Sequence, residues 1–350
     1  MRSLIAVPIW VAAAACLAFP VIDVAFNWTD TVAKRVFILT ALVSLLFGAV
    51  WAAKHVRTGQ LRLLPFAVLL VALGHEGLER LNRLRQLGNG PEQSVGASAS
   101  LLRPITTTDL VTQFYEVPSR ALRVNRLRVA QITDVHISPM ISRAYFEHAL
   151  DTVVAQKPDL ILMTGDYVSR VENLALFQQV LPGRLRAPLG VFAVLGNHDF
   201  WTNAEAVRQL LTQAGITLVG GTCARLPDTV GRVAVCGTEA PWGPELDETL
   251  READLSLVLS HTPDNIYDLS ARGASAVFAG HLHGGQARLP GFGALVTPSR
   301  YGRRFDEGHF RVAGTDLFVS TGLGADDPPL RIYCRPDIIV VDFIAQGEWP

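Results

Sequence analysis

The sequence predicts an α/β sheet sandwich attached to an N-terminal membrane-spanning helical region. Three observations predict it. Two long apolar runs without a charged side chain, residues 3–22 and 36–53, stand near the N-terminus; a stretch rich in Gly, Ser, Asn and Gln comes next at 86–100; and from Leu127 onward short apolar runs alternate with segments of helical pattern. A chain of 350 residues is long enough for one large domain and an appendage. Its charges are balanced, with 31 Lys and Arg against 32 Asp and Glu and a formal net charge of -1. Together with a positive mean hydropathy, this balance points toward lipid and away from nucleic acid as a partner.

Each uncharged run is long enough to cross a hydrocarbon core, which takes about 17 to 25 helical residues. A third apolar stretch, 61–81, carries Arg62 near its start and His75, Glu76, Glu79 and Arg80 near its end, so it either spans or lies in the interface. Residues 1–85 are read as a transmembrane region with two or three helices, 86–120 as a linker, and 121–350 as the large domain. With two spans, Lys34 and Arg35 oppose Arg2, Lys54, Arg57, Arg62, Arg80, Arg83 and Arg85, which places the large domain in the cytoplasm. With three, Arg80, Arg83 and Arg85 change sides and the count no longer decides.

Cys16, Cys223, Cys236 and Cys334 lie far apart and form no C-x-x-C pair, so they read as small buried thiols that do not fix the redox compartment.

In the large domain, residues 127–132, 160–163, 191–195, 255–259 and 276–278 have the length and composition of buried strands, while 142–156, 172–180, 204–214 and 264–271 have helical pattern. The residues just past each strand carry the chemistry. Asp134 and His136 come after the first, Gly165 and Asp166 after the second, Gly196, Asn197, His198 and Asp199 after the third, His261 after the fourth, and Gly280, His281 and His283 after the last. Ligand crevices in open α/β sheets lie at the carboxyl ends of strands, so these separate strands deliver Asp, Asn or His to one rim.

Each piece alone has an ordinary reading as a turn, a cap or a surface pair. Together they supply carboxylate, amide and imidazole donors without thiolate, which suits Mn, Fe or Zn better than a lone magnesium ion. Two such cations about 3.5 to 4 Å apart neutralise phosphate oxygens and activate a bound water, and a carboxylate can bridge them. A histidine outside the ligand set suits the proton donor that the leaving oxygen needs.

The set D-x-H, G-D, G-N-H-D, a post-strand His and G-H-L-H resembles the signature of the calcineurin-like metallophosphoesterase superfamily, from residue 127 to the end of the chain. The resemblance implies two packed mixed β-sheets flanked by helices, with a site for two divalent metal ions on the rim. It implies that Asp134, His136 and His283 hold the first metal, that Asp166 bridges, and that Asn197, His261 and His281 complete the second site. His198 would act as general acid or phosphate-orienting group, with Asp199 supporting it.

Gly280 to Gln286, G-H-L-H-G-G-Q, and the stretch from Val319 through Gly324 to Arg331 are similar to the membrane-associated YaeI-like and YkuE-like branch and to lipid A pathway enzymes that split UDP-diacylglucosamine. The implied substrate is a phosphodiester or pyrophosphate in a lipid-linked or nucleotide-linked molecule. The implied setting is a bacterial cytoplasmic membrane. The oligomeric state is left open. Arg300, Arg303 and Arg304, preceded by Leu289, Pro290 and Phe292, read equally as a phosphate clamp beside an acyl platform or as a solvated loop. The competing class is a membrane scaffold that keeps the fold for protein binding; intact ligands and His198 argue against it. A metallo-β-lactamase reading fails because no H-x-H-x-D-H run occurs early in the domain.

Overall fold

In the computed structural model, residues 77–96, 100–247 and 250–346 are described. The chain divides into a unit made of Met1–Arg85 with Pro298–Arg304 and a larger unit made of Gln86–Thr297 with Phe305–Pro350. In the larger unit the elements run β1 (Gln93–Gly96), β2 (Val111–Ser119), β3 (Arg126–Ile132), α1 (Arg143–Ala155), β4 (Leu160–Met163), α2 (Leu174–Val180), β5 (Val191–Ala193), α3 (Asn197–Gln213), β6 (Thr217–Leu218), β7 (Cys223–Arg225) and β8 (Val233–Thr238). They continue through β9 (Leu255–Ser260), α4 (Ile266–Ala271), β10 (Ala276–Ala279), β11 (Arg288–Leu289), β12 (Gly293–Ala294), β13 (Gly308–Val312), β14 (Thr315–Val319) and β15 (Asp337–Ala345).

Two mixed sheets result, with strand orders β1-β2-β15-β3-β4-β5-β6 and β13-β14-β10-β9-β8-β7, and a small β11-β12 ribbon beside them. In the first sheet β3, β4, β5 and β6 run parallel, while β15 pairs antiparallel with β3. In the second, β8, β9, β10 and β14 run parallel, with β7 and β13 antiparallel at the edges.

The period of two along each strand explains the layering. Val129, Leu160, Leu162 and Phe192 of the first sheet join Val235, Leu257, Leu259, Phe278 and Phe318 of the second in one apolar core between the sheets. The alternate residues Ala130, Ile132, Ile161, Met163 and Ala193 turn the other way and pack on Phe146, Leu150 and Val153 of α1, Phe177 of α2 and Val207 and Leu211 of α3. Both faces of these strands are thus covered. Their near-continuous apolar runs are the consequence.

The expected strands and helices appear with shifts of a few residues, and three differences have physical causes. The helix expected at 204–214 is the second part of α3. Asn203 breaks the helix at φ -171 and ψ 90, and its Oδ1 accepts the Ala206 amide at 3.0 Å as a fresh N-cap. Within 86–120, expected as a linker, Gln93–Gly96 and Val111–Ser119 form strands, because β2 finds a partner in β15 at the far end of the chain. Cys223 and Cys236, expected as thiols, are joined in a disulfide, since the antiparallel register of β7 and β8 sets them directly opposite. Cys334 is a buried free thiol.

Among the described residues no helix is long and apolar enough to cross a membrane. The runs 3–22 and 36–53 and most of 61–81 lie outside the described residues. In the smaller unit Arg304 forms a bidentate pair with Glu79, and Arg83 donates to the Arg304 carbonyl at 2.9 Å.

Candidate metal centre

The loops that leave β3, β4 and β10 hold their polar residues in left-handed backbone. Asp134, His136, Asp166, His281 and His283 have φ of 49°, 38°, 57°, 69° and 50°. Such conformations are uncommon for residues with a Cβ and persist only where the surroundings fix them. The loops fix one another: the Asp134 and His136 amides donate to the Gly165 and Asp166 carbonyls at 2.9 and 3.0 Å. Two glycines permit the close approach. A Cβ on Gly196 would lie 2.2 Å from Asp166 Oδ1, and one on Gly280 would lie 2.1 Å from Asp134 Oδ2.

Each carboxylate turns one oxygen to imidazoles and holds the other on hydrogen-bond donors, with the His281 amide also reaching Asp134 Oδ1 at 3.2 Å. Asp134 Oδ2 accepts the His281 amide at 2.9 Å and the Thr133 hydroxyl at 2.7 Å. Its Oδ1 lies 3.2 Å from His283 Nε2 and 3.7 Å from His136 Nε2. Asp166 Oδ1 accepts the His198 amide at the start of α3 at 2.8 Å, where helix N-termini favour anions. Its Oδ2 lies 3.5 Å from His136 Nε2 and 3.1 Å from His261 Nε2, so Asp166 faces both sides. Asn197 Oδ1 is 3.1 Å from His261 Nε2.

Donor atoms converge in the groups Asp134, His136, His283 and Asp166, His261, His281, each within 4.8 Å, and His198 shares a third with His136 and Asp166. Every ligand expected from the sequence therefore reaches one place. The donors fit a pair of divalent cations. His136 Nε2 and His283 Nε2 stand 3.0 Å apart beside ionised carboxylates. His261 Nδ1 faces the Thr164 carbonyl at 2.7 Å, so that nitrogen donates and Nε2 is the atom turned toward Asp166; burial lowers this imidazole, but the Asp166 carboxylate outweighs it and raises it to about 9. His136 Nδ1 is held by a hydrogen bond with Ser169 Oγ, which leaves Nε2 to face the carboxylates.

Burial raises the Asp166 carboxyl, but His261, His198 and His136 outweigh it and hold it well below the usual carboxylate range. Burial pushes His281 and His283 down to about 3, leaving both neutral as a ligating imidazole must be.

The structure separates His198 from Asp199. His198 stands at the mouth with its side chain 18% exposed, its ring 4.8 Å from that of His136 and 4.9 Å from that of Trp201. The carboxylate facing it is Asp326, whose Oδ2 is 3.6 Å from His198 Nε2. Asp199 instead accepts the amides of Asp166 at 2.8 Å, Tyr167 at 2.9 Å and Gly196 at 3.0 Å. Burial and the nearby Asp166 carboxylate push it up to about 7. Its contacts fasten the Asp166 loop to α3, so it acts on the site through the backbone.

Sequence reasoning missed Asp326, and also Trp242, whose ring lies 5.1 Å from that of His281 and 5.8 Å from that of His261. Neither stands at the end of an apolar run, the mark that singles out the ligands. Arg300 and Arg304 lie over the Tyr301 ring, and Arg304 also holds Glu79.

A model of the calcineurin-like phosphoesterase family matches residues 127–285. The chain is similar to an uncharacterized metallophosphoesterase, YkuE, of Bacillus subtilis, with 31% identity over 222 residues, 61% of this chain and 77% of the relative. It is similar to phosphodiesterase YaeI of Escherichia coli, with 29% identity over 225 residues, 62% of this chain and 82% of the relative. It is also similar to UDP-2,3-diacylglucosamine pyrophosphatase LpxG of Chlamydia trachomatis, with 24% identity over 228 residues, 50% of this chain and 69% of the relative. Among solved structures, GAP50, the anchor in the inner membrane complex of Plasmodium, gives a TM-score of 0.38 at 12% identity over 63% of this chain and 81% of that one.

Proposed function

The chain belongs to the calcineurin-like phosphoesterase family, and from that premise we propose that Asp134, His136, Asp166, Asn197, His261, His281 and His283 hold its two divalent cations. We propose further that the substrate is a phosphodiester or pyrophosphate in a lipid-linked or nucleotide-linked molecule, such as UDP-diacylglucosamine. The chain is a metal-dependent phosphohydrolase, which sets the scaffold alternative aside. The observation that carries the ligand assignment is Asp166 Oδ2, facing His136 Nε2 at 3.5 Å and His261 Nε2 at 3.1 Å.

When bound, the cations supply charge neutralisation of the phosphate oxygens and a more acidic water. The chain's own residues do the rest. His198, at the mouth, is placed to give the leaving oxygen its proton; burial holds its pKa below the usual histidine value, and the Asp166 and Asp326 carboxylates work against that by favouring the protonated ring. Asp199 keeps the Asp166 loop against the start of α3. The similarity to LpxG, whose name specifies UDP-2,3-diacylglucosamine, supports the lipid-linked reading.

A screen settles the reaction class. The purified full-length chain, supplied with manganese, is expected to hydrolyse a p-nitrophenyl phosphodiester and a UDP-linked diacyl lipid faster than a phosphomonoester. No metal-dependent turnover on any of them would sink the reading.

For location we propose an integral protein of a bacterial cytoplasmic membrane, anchored through residues 3–22 and 36–53. The Cys223–Cys236 disulfide supports the arrangement in which residues 61–81 form a third span and the large domain faces the oxidising side, because such bonds are rare in the cytosol. Protease added outside spheroplasts is expected to remove the domain; full protection would refute that side.

A further inference from the structure

Arg331 is the largest fully buried side chain among the described residues, at 0% exposure. Among the described residues it makes no ion pair. Burying a guanidinium without a direct carboxylate partner is expensive unless its donors are satisfied; the buried Asp337 carboxylate acts on it only electrostatically, and carbonyl oxygens take its hydrogen bonds. Nε donates to the Gly324 carbonyl at 2.7 Å, and Nη2 donates to the carbonyls of Thr321 at 2.6 Å, Gly322 at 3.2 Å and Gly324. Nη1 donates to the His283 carbonyl at 3.4 Å, and Nη2 lies 3.5 Å from His283 Nδ1. The adjacent Cys334 thiol donates to the same His283 carbonyl at 3.0 Å.

The opposite side of the 321–324 loop presses on Asp134 and His136. The Leu323 amide donates to the Thr133 carbonyl at 3.0 Å and the Gly324 amide to the Asp134 carbonyl at 2.8 Å. A Cβ on Gly322 would lie 2.5 Å from Asp134 Cβ, and one on Gly324 would lie 2.0 Å from the Val135 carbonyl oxygen. The guanidinium is therefore the joint between the loop that backs Asp134 and His136 and the turn that carries His283. Asp166, Asn197, His261 and His281 receive none of its hydrogen bonds, although His281 shares the turn with His283 and its amide donates to Asp134.

We propose that Arg331 is a positioning residue for one half of the metal centre: it sets the spacing of Asp134 and His136 against His283 and so determines the affinity of that half alone. The inference rests on the ligand assignment proposed above. A guanidinium suits the task because its fork is planar and always charged, whereas an ammonium makes fewer simultaneous contacts.

The test is manganese binding to the metal-free, detergent-solubilised full-length chain, measured by calorimetry. Wild type is expected to take up two ions. Arg331→Lys should weaken one of them by roughly 10- to 100-fold, the usual loss when a group orienting a ligand is changed, and leave the other unaltered; Arg331→Met should weaken the same ion further. Turnover by Arg331→Lys should recover at high manganese, with the KM for substrate close to wild type. Two ions bound with wild-type affinity by Arg331→Lys would overturn the inference, as would equal weakening of both. If Arg331→Met does not fold, Arg331→Lys alone decides between these outcomes. Fewer than two ions in wild type would refute the ligand assignment itself, a separate failure.

Discussion

The two halves of the proposed metal centre rest on different foundations. Asp134, His136 and His283 all adopt positive φ, at a strain of about 1–3 kcal/mol each. Across Asp166, Asn197 opens α3 and His261 directly succeeds β9, and neither is among the positive-φ residues, although His281 is. The first half is held by supports that must over-determine it: the 321–324 loop, Arg331 and the neighbouring Gly165 and Asp166 carbonyls. The second half uses regular elements and the Thr164 carbonyl. A strained half should be the more readily disturbed.

The largest expected effect removes the comparison altogether. Asp166→Ala deletes the carboxylate that faces both halves, so both ions should be lost and hydrolysis should fall by on the order of 10³-fold or more, since the ions supply several kcal/mol of charge stabilisation. Metal analysis of the purified variant checks it; retention of both ions would show that Asp166 does not join the halves. His198→Ala should act differently. Its loss should lower kcat by about 10²- to 10⁴-fold while both ions stay bound, and a fall in metal content would assign His198 to the ligand set instead.

Graded chelation sharpens the contrast. An ion present at about 100 times its Kd stabilises the fold by about 2.7 kcal/mol. As chelator is raised, thermal unfolding should therefore shift down in two stages, the strained half emptying first. His283→Ala should abolish the earlier stage and His261→Ala the later one. A single stage would mean that the halves fill and empty together.

The proposed ligands were legible in the sequence because each stands a few residues past an apolar run, so a local pattern marks both strand and donor. The sheet sandwich was legible for the same reason. The hidden features depend on contacts between distant parts of the chain. β2 has polar residues at Thr112, Gln113 and Glu116 and becomes a strand by pairing with β15. Asp326 comes to His198, and Arg331 to His283, only when the C-terminal stretch folds back over the rim. The disulfide required the β7–β8 register. The early start of α3 was obscured by Asn203, which divides the helix into a segment that carries site residues and one that packs on the sheet.

The smallest expected effect tests that division. Asn203→Ala removes the Oδ1 cap on the Ala206 amide and should cost about 1 kcal/mol, read as a lower midpoint in urea unfolding of the metal-loaded protein. Val207 and Leu211 on the second segment belong to the core against the first sheet, so the loss should appear in stability. Asn197 and His198 lie on the first segment, which Asp199 ties to the Gly196 and Asp166 amides independently of the cap. Manganese affinity should therefore stay at its wild-type value. If it falls with the cap, α3 transmits the change through the break at Asn203, and the second half of the site is no better founded than the first.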